Sequence, residues 1–332
     1  MRTPNGSITM QTSISTQATN ALGRFRAWYA SWGTWGSPII DMILAHIRMI
    51  RPVTRIWFDT LLPLTTISLL TDGNPPVVNT TLFILSMNLI HIGFTILNDL
   101  QDVVSDRSSS ELLRSTRPIA NNIIPRELAY AEFFCTIILG VAITCFISWA
   151  LAGVATFLCL LLLAHELPPI RTQSRPVLSP IAGLVGFACI FLTMMITANH
   201  LYIDNKIFYI LFVAIYLGIG GMIAKDIRDV DNDSKGGKQT PAVKYGAPTA
   251  TRIATIAYAL AGAAWVWFVL RNRELAGMPL LFATFVMALW VSYTIVAGRL
   301  LSRGFSKAIC VSIHSGSIIV LALVNVCVLW AL

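Results

Sequence analysis

The chain has 332 residues, of which 55% are hydrophobic and only 12% are charged. Soluble domains carry about a quarter charged residues. The deficit of charge and the repeated apolar runs of membrane-spanning length exclude an ordinary soluble protein and predict a helical protein in the lipid bilayer. The formal net charge is +8, but no basic soluble domain accompanies it, so we expect no nucleic-acid partner.

The first 50 residues differ from the rest of the chain. Residues 1–21 are rich in Ser, Thr, Asn and Gln and are predicted to form a disordered tail, although a transit peptide is an alternative. Residues 22–50 carry Trp28, Trp32 and Trp35 at helical spacing, followed by an apolar helical face. This pattern predicts an amphipathic segment in the membrane interface. Packing of the segment against the helical bundle is the alternative interpretation.

Nine apolar runs follow, and each is predicted to be a transmembrane helix. They cover about residues 53–71, 79–100, 127–149, 151–168, 179–199, 207–225, 249–270, 277–297 and 308–331. The third and fourth runs are separated by a short link predicted around Leu151–Gly153. Prolines lie near several of the predicted starts, where a missing backbone N–H is harmless.

The distribution of basic residues supports this count and a cytoplasmic N-terminus. With that orientation, all but three of the 24 lysine and arginine residues fall on the cytoplasmic side, as the positive-inside rule requires. The exceptions are Lys206, Arg271 and Arg273. The middles of the spans contain almost no charge, which argues against a transporter with a midplane site. His91 and Asn199 are isolated polar residues there, and we interpret them as packing residues.

Two acidic runs close apolar segments at the same predicted cytoplasmic end. The first reads Asn98-Asp99-Leu100-Gln101-Asp102-Val103-Val104-Ser105-Asp106, and the second reads Lys225-Asp226-Ile227-Arg228-Asp229-Val230-Asp231-Asn232-Asp233. Spacings of three and four place Asn98, Asp102 and Asp106 on one helical face, and Asp226, Asp229 and Asp233 on another. Such groups are costly to desolvate and repel one another unless a cation lies between them.

The ligand chemistry of these runs favours Mg²⁺, which prefers hard oxygen ligands and shares its sphere with phosphate oxygens and water. The six cysteines form no Cys-x-x-Cys pair, and no His/Cys grouping suggests a transition metal. Basic residues interleaved with the acids suit a diphosphate group. An apolar cavity behind them suits a hydrocarbon tail, so a polyprenyl diphosphate is the predicted substrate. Its ionisation gives an allylic carbocation, shielded by apolar walls and stabilised by aromatic faces.

Both runs resemble signatures of the UbiA-type intramembrane prenyltransferases. The first signature is Asn98-Asp99-x-x-Asp102-x-x-x-Asp106 followed by Arg117-Pro118. The second is Lys225-Asp226-Ile227-x-Asp229-x-x-x-Asp233-x-Lys235-x-Gly237, with Thr240-Pro241 and Tyr245-Gly246 beyond it. Arg51-Pro52 and Pro168-Pro169-x-Arg171 look like further landmarks of the family. The resemblance covers about residues 46–331.

This resemblance implies a nine-helix bundle around a central cavity, with cytoplasmic cap loops, as one prenyltransferase domain over residues 51–332. It implies two Mg²⁺ sites, one at Asn98, Asp102 and Asp106 and one at Asp229 and Asp233 with Asp226 close by. Asn98, Asp102, Asp106, Asp229 and Asp233 are the residues it marks as catalytic. The diphosphate contacts are expected at Arg117, Lys225, Arg228 and Lys238. Asp231 has the wrong spacing for that face and is predicted to be a solvated loop residue.

The chain departs from the family near the expected acceptor and cap regions. Leu113 replaces a common arginine, with Arg114 shifted by one; His165-Glu166-Leu167 precedes the Pro-Pro pair, and the glycine that commonly follows Arg-Pro is absent. The leading hypothesis is prenyl transfer to an acceptor, most naturally an aromatic ring. A UbiA-type terpene cyclase that needs no acceptor is the alternative, and a cation carrier or structural membrane protein is a third. His165 and Glu166 are candidate bases by position only, and a structural role is preferred for each.

Overall fold

A computed structural model describes residues 38–52, 55–107, 117–275, 277–304 and 306–332. The predicted disordered tail, the tryptophan-rich start of the interfacial segment, Leu113 and Arg114 lie outside these residues. Helices make up 82% of the structure, and the described residues contain no strand. The predicted fold class, an all-helical membrane bundle, is confirmed.

The helices are numbered here in chain order. They are α1 (Pro38–Ile50), α2 (Leu62–Leu70), α3 (Val77–Gln101), α4 (Val103–Arg107), α5 (Arg126–Ile147), α6 (Trp149–Glu166), α7 (Leu178–Thr197), α8 (Ile207–Ile215), α9 (Met222–Lys235), α10 (Pro241–Tyr245), α11 (Ala247–Arg271), α12 (Met278–Arg303) and α13 (Lys307–Ala331). Wider π-helical turns occupy Arg55–Leu61, which leads into α2, and Tyr216–Gly221, which joins α8 to α9. A short 3₁₀ turn covers Thr172–Ser174.

Eight helical segments within the described residues are long and apolar enough to cross a membrane. They correspond to the second to ninth predicted spans. The first predicted span is helical too, but it consists of a seven-residue π-helical turn followed by the nine residues of α2. The sixth span is longer than predicted, because one continuous helical segment runs over Ile207–Lys235. The second acidic run is therefore on a helix and not in a loop.

The predicted link at Leu151–Gly153 is wrong, because those residues lie inside α6. The break falls at Ser148, whose backbone is extended and whose Oγ accepts a hydrogen bond of 3.0 Å from the backbone N–H of Leu151. A serine in this position caps the first turn of a helix and satisfies a backbone donor that would otherwise be unpaired. The apolar composition on both sides of Ser148 hides this boundary from a hydropathy pattern.

Helix α1 packs on the bundle with one face and leaves another exposed. Ala45 and Met49 are buried, and His46 Nε2 lies 2.7 Å from Glu132 Oε1 on α5. Ile43 and Ile47 are among the large apolar side chains exposed on the other face. The buried face agrees with packing against the bundle, and the exposed apolar face agrees with an amphipathic segment. The location of α1 in the membrane interface stays a prediction.

Aromatic side chains fill the core between α8, α11 and α12. Tyr209, Phe212, Trp265 and Phe268 are fully buried, and their rings contact one another with centroids 5.4 to 6.2 Å apart. Tyr258 continues the cluster towards Trp290, at 5.7 Å. These rings support the scaffold by packing against each other, so they are not the cavity wall that the carbocation hypothesis expects.

Glycine allows α7 and the π-helical turn before α9 to approach very closely. A Cβ added at Gly183 would lie 2.6 Å from the backbone oxygen of Gly218, and one added at Gly218 would lie 3.0 Å from the Cα of Leu184. Helices in a membrane gain no hydrophobic driving force from one another, so close packing through small residues contributes much of their association. This contact places the second acidic run at a fixed position against α7.

We predict that Gly183→Ala destabilises the protein by about 1–3 kcal/mol, because the new methyl group meets backbone that cannot rotate away. The matched control is Gly186→Ala on the same helix, where an added Cβ meets nothing within 4 Å. That control should be neutral or slightly stabilising, because alanine favours a helix. Thermal unfolding in detergent micelles compares the two variants, and equal midpoints would contradict the described contact.

Candidate active site

The first acidic run keeps its helical register although α3 ends within it. The backbone N–H of Asp102 donates to the oxygen of Asn98 at 2.9 Å, and that of Asp106 donates to the oxygen of Asp102 at 2.8 Å. The helical hydrogen-bond register therefore continues from α3 through Asp102 into α4. Asn98, Asp102 and Asp106 share one face, as their spacing predicts.

Lys238 joins the two acidic runs. Its Nζ lies 2.9 Å from Asp102 Oδ2 and 3.8 Å from Asp233 Oδ1. The lysine follows α9 in a turn where the backbone N–H of Lys238 donates to the oxygen of Asp233 at 2.9 Å. Burial opposes the charge of Lys238, but the two carboxylates outweigh it and raise the pKa of Lys238. The two runs thus meet across a lysine that stays protonated.

A second cationic contact is made at Asp99, which the sequence did not assign to the site. Its side chain is only 4% exposed, and its Oδ1 accepts hydrogen bonds from Arg51 Nη2 and, at 2.8 Å, from Arg117 Nη1. Arg117 Nε also lies 3.5 Å from Asp106 Oδ2. Asp99 was missed because it lies off the face of the metal motif; its role is to hold two arginines beside that face.

Asp106 is a buried carboxylate of the first run. Burial raises its pKa to about 6, against the opposing effect of Arg117. Since the pKa is raised, Asp106 takes up a proton as the pH falls through about 6, a pH at which an ordinary aspartate stays ionised. A cation bound near Asp106 would favour the ionised form and lower this pKa.

The second run carries its own cations on α9. Arg228 forms a two-pronged ion pair with its neighbour Asp229, with distances of 2.7 Å from Nε to Oδ1 and 2.5 Å from Nη2 to Oδ2. Asp226 is buried, and its Oδ2 has no hydrogen-bond partner among the described residues. No hydrogen bond or ion pair of Lys225 is found within the described residues. Asp226 therefore has an acceptor oxygen, and Lys225 has an ammonium group, without a hydrogen-bond partner among the described residues.

The loop after α6 brings further polar groups to Asn98. Asn98 Nδ2 donates to Glu166 Oε2 at 3.1 Å, and Gln173 Nε2 donates to the same oxygen at 2.6 Å. Arg171 Nη2 lies 4.0 Å from Asp102 Oδ1. Arg171 and Arg51 both adopt left-handed backbone conformations, with φ of 40° and 56°. A non-glycine residue pays for that conformation, and such residues are concentrated at functional sites.

The roles that the sequence left open at His165 and Glu166 become clearer. Glu166 is buried and holds the amide groups of Asn98 and Gln173, which is the structural role preferred above. His165 Nδ1 lies 2.8 Å from Thr172 Oγ1, so it connects the loop to α6.

Asp231 lies on α9 and not in a loop, but its side chain is 54% exposed and pairs with Lys307 at 3.2 Å. Its exclusion from the acidic face is correct.

The donors of this site fit a hard divalent cation in type. Among the described residues, no group of three His, Cys, Asp or Glu side chains lies close enough together to enclose a metal alone. Mg²⁺ does not need such a cage, because it is commonly held by one or two carboxylates together with water and substrate phosphates. The partnerless Oδ2 of buried Asp226, and carboxylates that already neutralise cations at Lys238 and Arg117, are consistent with that kind of site.

Comparison with known proteins identifies relatives. A model of the UbiA prenyltransferase family matches residues 60–331. A search of curated proteins gives no match.

Solved structures share the fold. A protein described as digeranylgeranylglyceryl phosphate synthase is 18% identical, with a TM-score of 0.61 over 88% of this chain and 98% of that one. A UbiA homologue from Archaeoglobus fulgidus bound to DMAPP and Mg²⁺ is 17% identical, with a TM-score of 0.59 over 86% and 99%. One from Aeropyrum pernix K1 is 14% identical, with a TM-score of 0.60 over 82% and 95%.

We predict that Asp99→Asn costs on the order of 3 kcal/mol of stability, because it leaves the guanidinium groups of Arg51 and Arg117 facing each other without their shared carboxylate. The control is Asp231→Asn, whose exposed ion pair should contribute less than about 1 kcal/mol. Chemical or thermal unfolding in detergent measures both. Equal stability of the two variants would show that Asp99 is not the anchor of the arginine pair.

Proposed function

Because the chain belongs to the UbiA prenyltransferase family, we propose that it is a Mg²⁺-dependent integral-membrane enzyme that removes diphosphate from a polyprenyl diphosphate and transfers the prenyl group to an acceptor. The observation that carries the proposal is the meeting of the two acidic runs across Lys238, which assembles metal-binding oxygens and cations at one end of an apolar bundle. The DMAPP-bound and GPP-bound UbiA homologues from Archaeoglobus fulgidus support the same class of substrate.

The cationic side chains bind and orient the diphosphate in this proposal. Lys238 and Arg117 are each held by carboxylates of the acidic runs, so their positions are set before the substrate arrives. Lys225 has donors free for the ligand. Arg228 is more weakly supported as a diphosphate contact, because Asp229 already occupies its guanidinium edge. Preorganised donors favour the developing charge of the leaving group without a cost of reorganisation at the moment of reaction.

The ligands proposed for Mg²⁺ are Asn98, Asp102 and Asp106 on one side and Asp226, Asp229 and Asp233 on the other. When bound, the metal supplies positive charge to the leaving diphosphate. Lys238 contacts both groups in the described structure, so it would exchange carboxylate partners for phosphate oxygens as the substrate enters. Asn98 is held to Glu166, which fixes the direction of its amide.

The acceptor is proposed from the reactivity of the allylic cation alone. An aromatic ring is the acceptor we propose, since an electron-rich carbon attacks an allylic cation readily. The departures from the family at His165-Glu166-Leu167 and after Arg117-Pro118 keep a terpene cyclase as the second candidate.

The cytoplasmic position of the N-terminus and of the acidic runs is likewise a proposal, supported by the placement of the basic residues.

We predict that Asp102→Asn and Asp229→Asn each lower diphosphate release by about 10²-fold or more. Each substitution replaces a carboxylate that is a proposed Mg²⁺ ligand with a neutral amide. Asp231→Asn is the control on α9, outside the acidic face, and should retain activity. Release is measured with purified protein, Mg²⁺ and a prenyl diphosphate. Full turnover by both acidic-run variants would refute the metal-cluster hypothesis.

Incubation with a prenyl diphosphate and Mg²⁺ alone separates the two candidate enzymes. A transferase should give no cyclic product and should need an added aromatic partner for coupling. A cyclic hydrocarbon or alcohol formed without any partner would establish the cyclase instead. Mass spectrometry of the extracted product distinguishes these results.

A further inference from the structure

A buried ion cluster lies below the acidic face, where the sequence suggested only an isolated histidine. Asp59 and Arg55 lie on the π-helical turn Arg55–Leu61, and the distance from Arg55 Nη1 to Asp59 Oδ2 is 2.6 Å. Their side chains are only 8% and 6% exposed, respectively. The other carboxylate oxygen, Asp59 Oδ1, lies 2.6 Å from Nδ1 of His91 on α3. His91 is thus paired with a carboxylate on another helix, so the description of it as an isolated polar residue is wrong.

The surroundings hold the cluster in one arrangement. Arg55 Nη2 donates to Thr95 Oγ1 at 2.6 Å, and Arg55 Nε donates to the backbone oxygen of Ile50 at 3.1 Å. Asn88 Nδ2 donates to the backbone oxygen of Asp59 at 3.2 Å. The carboxylate of Asp59 is therefore paired with Arg55, and its Oδ1 is placed to accept a hydrogen bond from the Nδ1–H tautomer of His91. The lone pair of the imidazole is then on Nε2, the nitrogen that has no partner among the described residues.

His91 lies on the same face of α3 as the metal motif. Polar residues recur along α3 at spacings of three and four, in the order Asn88, His91, Thr95, Asn98 and Asp102. This is one continuous face of the helix, and the His91 side chain on it is 47% exposed. Polar residues within a membrane protein face the bundle interior or a water-accessible cavity and not lipid. His91 lies seven residues before Asn98, about 10 Å along the helix axis, on the hydrocarbon side of the site.

We propose that His91 is the general base that ends the reaction by taking a proton from the carbocation. The inference rests on the proposed function, and it holds for prenyl transfer and for cyclisation. A C–H bond next to the cationic carbon breaks, its electron pair forms a carbon–carbon double bond or restores the aromatic ring, and the proton goes to Nε2. Asp59 acts as a positioning residue that fixes the ring and its tautomer, as a carboxylate does in other histidine–carboxylate pairs.

Other candidate bases are less suited to this step. Glu166 is engaged with Asn98 and Gln173 at the diphosphate end. His165 lies in the next position on α6 and contacts the loop through Thr172. His91 alone among these three combines a free ring nitrogen, an exposed edge and a buried carboxylate behind it.

The test is the fate of the prenyl group in His91→Gln, which leaves the Arg55–Asp59 pair intact. Because the base acts after ionisation, diphosphate release should stay within about threefold of the wild type. The deprotonated product should fall by about 10²-fold, and prenyl alcohol from capture by water should replace it. Asp59→Asn should shift the same product ratio less strongly. His46→Gln is the matched control, because His46 lies on α1 and is paired with the carboxylate of Glu132 at 2.7 Å.

The outcomes separate this proposal from the proposed function. An unchanged ratio of deprotonated product to alcohol in His91→Gln would overturn the assignment of the base. Loss of diphosphate release in proportion to loss of product would overturn it as well, since His91 would then act in binding or ionisation. Absence of diphosphate release by the wild type would overturn the proposed function itself, and the base with it.

Discussion

The contact of Lys238 with Asp102 and Asp233 is the interaction on which the rest of the site depends. Carboxylates at the end of a membrane bundle repel one another and lose hydration, so an arrangement of this kind requires positive charge between them. Lys238 supplies part of it, and Arg117 supplies more through Asp99 and Asp106. The fold serves this requirement directly. Glycine-mediated packing of α7 against the turn before α9 sets the second run, and the unbroken register from α3 to α4 sets the first.

In the proposed function, Lys238 and Arg117 interact with carboxylates before the substrate binds and with phosphate afterwards. Without a ligand they neutralise the acidic runs, and with a diphosphate they would turn towards phosphate oxygens while the metal takes over the carboxylates. In the proposed function, such an exchange would account for the interleaving of carboxylates and basic residues. The ion pairs within the site make its many charged groups compatible with a largely apolar bundle.

Much of the architecture follows from the sequence because hydropathy and charge are strong signals in membrane proteins. Eight predicted spans correspond to long apolar helices, and the spacing of the acidic residues predicts their shared faces. The boundary at Ser148 was missed because a helix cap is a local hydrogen bond and not a change in hydropathy. The extra length of the sixth span was missed because the helix continues beyond its apolar part through the polar residues of the second acidic run.

The contacts that sequence reasoning missed are long-range pairings. Asp59 lies in the first span with no partner suggested by local spacing other than Arg55, and its contact with His91 joins residues on different helices. Asp99 was visible inside the first motif, yet its pairing with Arg51 and Arg117 depends on chain segments that the pattern cannot bring together. In the proposed reaction, these pairings extend the site from the acidic runs to His91, farther along α3.

The most direct test of the central claim is diphosphate release by the purified wild-type protein from geranyl, farnesyl and geranylgeranyl diphosphates, with Mg²⁺ and with a chelator in its place. The proposed function predicts release from at least one of these substrates, and loss of that release when Mg²⁺ is removed. Release that is equally fast without a divalent cation, or no release from any of the three, would contradict it.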